Sequence, residues 1–181
     1  MFFDSQNKIN SFENPIDYIE EHIYKFGIDL FRDSPNLLTL NFRGQWRNYK
    51  VIFSWDEYNQ IISVSSHFDI NKKEKISKNI YSLVSIVNEK VNLGYFHFCS
   101  KVKTVFFKYQ VSVKGFDFLN QEQVEDLLNV VTKECDKYFP AFYLYFFKKQ
   151  DPKYVLSASL IETYGEAWKK YLLLVVEVLD T

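Results

Sequence analysis

Residues 37–68 read LLTLNFRGQWRNYKVIFSWDEYNQIISVSSHF. Leu38, Leu40 and Phe42 fall on one side of an extended chain. Tyr49, Val51, Phe53 and Trp55 then alternate with Lys50, Ser54 and Asp56, and Ile62, Val64, Ser66 and Phe68 repeat the pattern. A period of two is that of a strand with one buried face. Arg43-Gly44-Gln45 and Glu57 to Gln60 read as turns too short for a crossover, so neighbouring strands are antiparallel.

Outward from this meander the period becomes helical. Asn14-Pro15 reads as an N-cap followed by proline at the first helical position, with Ile16, Ile19, Ile23 and Phe26 behind it and Gly27 as the stop. Residues 73–93 form an amphipathic helix with the stripe Ile76, Ile80, Leu83, Val84, Val87 and Val91, ended by Gly94. Two more strands follow, one with Phe96 and Phe98, the other with Val105, Phe107, Tyr109, Val111 and Val113. Asn120 caps a third helix with the stripe Val124, Leu127, Leu128, Val131 and Cys135. Pro140 is expected to kink or restart that helix, and Asp151-Pro152 to open a short fourth one. Strands in runs, separated by helices, make an α+β fold. The expected architecture is a curved antiparallel sheet of about five or six strands with helices on one face.

Composition narrows the function. The chain has 181 residues, 47% hydrophobic and 25% charged, as in a globular protein. It carries 18 Phe, 13 Tyr and 3 Trp, and a Lys, Asn and Ile bias that codon usage in an AT-rich genome would also produce. A net charge of −1 gives no general attraction for phosphate backbones. Lys72, Lys73 and Lys75, interrupted by Glu74, read as the solvated first turn of a helix, and nucleic acid is not an expected partner. The N-terminus lacks the pattern of a signal peptide, and the apolar run 171–176 is far shorter than the ~20 residues that span a bilayer. No membrane insertion and a cytoplasmic location are expected.

Chemistry is hard to place on this chain. None of the five glycines makes a phosphate-binding loop. His22, His67 and His97 have no metal-ligand spacing, and His67 with Asp69 reads as a polar pair on the solvent side of a sheet. Cys99 and Cys135 read as free thiols packed as small hydrophobes. Cys99 and His97 share a strand face, but nothing supplies a base partner or oxyanion element. Asp56-Glu57 and Glu20-Glu21 read as solvated charge. No catalytic, cofactor or metal residue is assigned, no cofactor is expected, and the chain is read as no enzyme. One segment exceeds the needs of a single buried face. Phe142, Tyr143, Tyr145, Phe146 and Phe147 leave no polar side, and Leu173 and Val175 lie in a second apolar run. These seven form the candidate partner-binding surface, because aromatic residues dominate interface cores.

Several segments together resemble the YbjN-domain family of sensory-transduction regulators, and its alphaproteobacterial branch in particular. They are Gly44-Gln45-Trp46, the Phe53–Trp55 strand end, Phe68-Asp69, VNEKVNLGYFHF at 87–98, Glu134-Cys135 followed by Tyr138-Phe139-Pro140-Ala141-Phe142, and Thr163-Tyr164-Gly165-Glu166-Ala167. Asn92, Cys99 and Phe147 depart from it, standing where tryptophan-like bulk is expected. The resemblance implies a fold similar to type III secretion chaperones, commonly dimeric, with no catalytic residues. It divides the chain into one YbjN-like domain at 1–167 and a C-terminal extension at 168–181 that packs on the domain or on a partner. The expected function is a non-enzymatic binding module, chaperone-like or regulatory, that holds a protein partner and forms a homodimer. The alternative is a regulator that senses a small ligand.

Overall fold

A computed structural model describes residues 14–68, 79–115, 119–148 and 151–155 of the chain. Helix α1 spans Pro15–Tyr24 and starts as the sequence predicts, with the Asn14 side chain accepting from the Ile16 N–H at 2.9 Å and proline at the first position. Ile16, Ile19 and Ile23 are buried. Phe26 is not part of that stripe. It lies past the helix end, where Gly27 turns the chain with φ +67°, and is exposed.

Six strands follow: β1 Leu30–Ser34, β2 Leu37–Arg43, β3 Asn48–Asp56, β4 Ile61–Phe68, β5 Tyr95–Cys99 and β6 Thr104–Ser112. They form one open sheet in the order β1-β2-β3-β4-β6-β5, antiparallel throughout. The register explains why the period of two holds. Leu38 lies opposite Phe53, Leu40 opposite Val51, Phe53 opposite Val64, and Ser66 opposite Phe107, so one face collects the alternating positions of four strands. Leu38, Leu40, Val51, Phe53, Val64, Val105 and Phe107 on that face are buried. Phe42 and Val111, towards the strand ends, are half-buried.

Helix α2 runs Ile80–Asn88 and α3 runs Gln121–Lys148. Both supply residues to the same core as α1 and the sheet: Ile80, Leu83 and Val87 from α2, and Val124, Leu127, Val131, Cys135 and Tyr138 from α3. Within the described residues α2 stops at Asn88, not at Gly94. Glu89 is its C-cap, and Val91 follows the helix. Gly94 has a different role. With φ +79° and a Cβ position only 2.6 Å from the Phe107 ring and 2.7 Å from the Lys108 carbonyl oxygen, it leads the chain into β5 tightly against β6.

Helix α3 begins with a reciprocal cap. The Gln123 N–H donates to Asn120 Oδ1 and the Asn120 N–H donates to Gln123 Oε1, both at 2.8 Å. The helix then passes through Pro140 without ending, contrary to the expected restart. After Asp151 one helical turn occupies 152–155 and buries Val155. Ile76, Asp69 and the segment 168–181, with Leu173 and Val175, lie outside the described residues.

Candidate functional site

The segments with the most distinctive sequence meet at one junction. The loop between β2 and β3 carries Gly44-Gln45-Trp46-Arg47 and lies against the middle of α3 at Asp136. The Gln45 N–H donates to both carboxylate oxygens of Asp136 at 2.9 Å, and the Tyr49 hydroxyl donates to Asp136 Oδ1 at 2.8 Å. The Trp46 indole N–H donates to the Asp136 backbone carbonyl at 2.9 Å. Gly44 is glycine for a steric reason: a Cβ would lie 2.1 Å from Tyr49 Cε2 and 2.6 Å from Asp136 Oδ1.

Pro140 frees the backbone carbonyl at this junction. In an uninterrupted helix the carbonyl of Asp136 would accept from the N–H four residues on, but residue 140 is proline and has none. The freed carbonyl is the one that receives the Trp46 indole. A buried or half-buried carbonyl needs a partner, and here the loop supplies it. Asp136 escaped the sequence reading because a lone aspartate on a helix has no pattern of its own. The available signal was its distance of four from the proline.

Burial, then the neighbouring Asp136 carboxylate and the bond to it, push the Tyr49 phenol far above its ordinary value, so it stays a donor. Cys135, next to Asp136, is buried and free, and its burial pushes the thiol up as well. The other cysteine, Cys99, is half-buried and free.

An aromatic ridge leads away from the junction along α3. Phe139 meets Tyr49 edge-on at 6.4 Å and Phe68 at 5.6 Å, and the Arg47 guanidinium lies 5.8 Å over the Phe139 ring. One turn on, Tyr143 packs on Phe139 at 5.9 Å. Another turn on, Phe147 packs on Tyr143 at 4.6 Å. Residues four apart share a helix face, so the ridge runs from inside to outside. Phe142, Tyr143 and Tyr145 are 1%, 6% and 7% exposed, Phe146 is half-buried and Phe147 is 40% exposed. Most of the aromatic run is therefore taken up by the chain's own core, and Phe147 is the member that reaches solvent.

The histidines occupy two places. His22 on α1 lies 3.5 Å from Glu125 on α3. His67 and His97 stand on the sheet face opposite the core and bracket Phe106 from neighbouring strands, with ring centroids 5.7 and 5.1 Å away. Burial, and then the Lys108 ammonium, hold the His97 imidazole below its ordinary value. Among the described residues no three His, Cys, Asp or Glu side chains gather in a way that would hold a metal ion. No helix among them is long and apolar enough to cross a membrane.

Comparison with known proteins gives the family of the chain. The family model YbjN, described as "Putative bacterial sensory transduction regulator", matches residues 15–144, and the chain belongs to that family. The match spans the meander, the Gly44-Gln45-Trp46 loop, Asp136 and Pro140, and ends three residues before Phe147. A crystal structure of YbjN from E. coli, described as "a putative transcription regulator", is similar to this chain at 13% identity. It covers 68% of this chain and 90% of that one, with a TM-score of 0.44. No curated protein matches the chain.

Proposed function

We propose that this chain is a non-enzymatic regulatory module of the cytoplasm, chaperone-like in its mode of action, that holds a protein partner at the outer end of α3. The observation that carries this reading is the graded aromatic ridge. Phe147 is exposed, yet it is fixed by Tyr143 and, through Phe139, by the Asp136 junction. A rigid aromatic anchor at low entropic cost is what an interface hot spot requires. The Asp136 carboxylate is occupied in holding the loop rather than presented to a substrate. In the same reading the domain extends through residue 167, and Leu173 and Val175 in the 168–181 extension complete the apolar surface with Phe147. The surface closes first on a second copy of the chain, in a two-fold dimer.

Light scattering over a dilution series from tens of micromolar downward tests this. The expected result is a dimer that dissociates when Phe147, or Leu173 and Val175 together, become Asp while circular dichroism stays unchanged. A photo-crosslinker at position 147 in cells, compared with one at the 93% exposed Tyr58, tests the partner. Equal, featureless labelling at both positions counts against the reading. A second reading, a small-ligand sensor, draws on one observation. Among the described residues Glu134 Oε2, one helical turn before Tyr138 on α3, is buried without a hydrogen-bond partner. Ligand-induced protection of Tyr138 rather than of Phe147 would favour it.

A further inference from the structure

The two edges of the sheet are protected differently. At β1 the register shifts between Arg32 and Ser34, and Arg32 turns towards α1, where Asp17 lies at 2.7 Å and Glu20 at 2.5 Å. A bulge and an inward-pointing charge are common guards of an open edge. At the other end β5 reads Tyr95-Phe96-His97-Phe98-Cys99, with no Lys, Asp, Glu or Pro. Among the described residues it pairs with β6 on one side only. An edge strand's unpaired N–H and C=O groups are a template for pairing with another chain, and β5 carries no charged side chain or proline to blunt them.

One side chain meets that edge. Asn88, the last residue of α2, sends its Nδ2–H to the Phe96 carbonyl at 2.9 Å, and its Oδ1 accepts from the Phe96 N–H at 2.8 Å. A strand residue turns its N–H and C=O the same way, alternately towards and away from its partner. Phe96 therefore faces outward, and the carboxamide, with one donor and one acceptor side by side, stands where a neighbouring strand's peptide group would. We infer that Asn88 is an edge lock. Its side chain takes the place of a seventh strand at Phe96 and keeps β5 from pairing with a second copy of this chain. The second copy is the fitting intruder because the strand is self-complementary. An antiparallel two-fold pairing centred on His97 places Phe96 opposite the copy's Phe98, and both turn their backbone groups outward.

Hydrogen exchange and light scattering together decide this. In the unaltered protein the Phe96 amide should exchange as slowly as the paired amides of β6. Exchange at the rate of the turn amides at 57–60 overturns the lock, whether or not any variant folds. Asn88→Ala and Asn88→Asp should speed exchange at Phe96 at least tenfold and raise the mass above that of the unaltered protein in a concentration-dependent way. Adding His97→Lys, a charge on the same edge, should restore the original mass. Folded Asn88 variants whose mass never rises overturn the proposal, and so does a raised mass that His97→Lys leaves in place.

Discussion

Asp136 shows how much one side chain can organise without any chemistry. It accepts from Gln45 and Tyr49 through its carboxylate and from Trp46 through its carbonyl, so its loss orphans donors rather than merely deleting a contact. An orphaned buried donor costs about 1–3 kcal/mol, and a hydrogen bond to a charged group contributes roughly 1.5–3. Asp136→Ala is therefore expected to cost ~3 kcal/mol in urea titration and Tyr49→Phe ~1.5. A pair of losses both under about 0.5 kcal/mol would remove the junction from any account of stability. Two residues back, Glu134 behaves oppositely. Burial raises its carboxyl above the ordinary value, with Lys137 opposing. A folded-state pKa above the unfolded one means the native state holds the proton longer. The stability from this group is present below the unfolded value, near pH 4.5, and is lost as pH rises through the folded one. Glu134→Gln should thus be more stable than the natural chain at pH 7, with the advantage gone below pH 4. A mutant equally or less stable at pH 7 contradicts this. Neither residue's role was legible in the sequence, where each is one acidic residue among 23 acidic positions. The contacts that distinguish Asp136 join positions some 90 apart.

At the level of elements the alternating strands were readable because each buries one face, and the register then repeats that face across the sheet. Phe107, opposite Ser66 and Phe96 and buried, is the sharpest case. Phe107→Ala is expected to cost ~3–5 kcal/mol, and a loss below about 1 would mean the wrong face was assigned to the core. Pro140 does not restart the helix, for an instructive reason. A proline ring removes one hydrogen bond and crowds the carbonyl four back, which argues for a break wherever that carbonyl has no other partner. Trp46 is the other partner, and it arrives from a loop that local sequence cannot place beside the helix. The coupling is measurable. In Pro140→Ala the new N–H competes for the Asp136 carbonyl, which has two lone pairs and so yields only part of its bond to the indole. Trp46→Phe should cost less in that background than in the natural chain, with a coupling of about 0.5–1.5 kcal/mol in a double-mutant cycle. Additive effects would show that the carbonyl serves both donors without penalty.

For the whole molecule, the run of hairpins β2 to β4 followed from short turns, but β1 at one sheet edge and the position of β5 outside β6 did not. Once a helix separates β4 from β5, period-two patterning is the same whether β5 or β6 lies beside β4. The distinction rests on backbone geometry at Gly94 and on the Asn88 carboxamide at Phe96. Likewise, the aromatic run at 142–147 was legible as a surplus of apolar side chains, but not as a surplus distributed by depth. Depth comes from how far α3 projects along the sheet: Phe142 packs on Phe68 at 5.5 Å and Phe96 at 5.2 Å, while Phe147 touches Tyr143 and solvent. The two ends of the same run should therefore answer differently to the same change. Phe142→Ala removes a ring from the centre of the core and is expected to cost ~3–5 kcal/mol. Phe147→Ala removes one that is 40% exposed and should cost about 1 kcal/mol or less, within the range of surface substitutions and shallow cavities. If Phe147 anchors a partner or a second copy, its loss appears in association instead: an unchanged urea midpoint at low protein concentration, and a lower mass at tens of micromolar. Equal stability losses at both positions would place Phe147 in the core and leave the outer end of α3 with no aromatic anchor to offer.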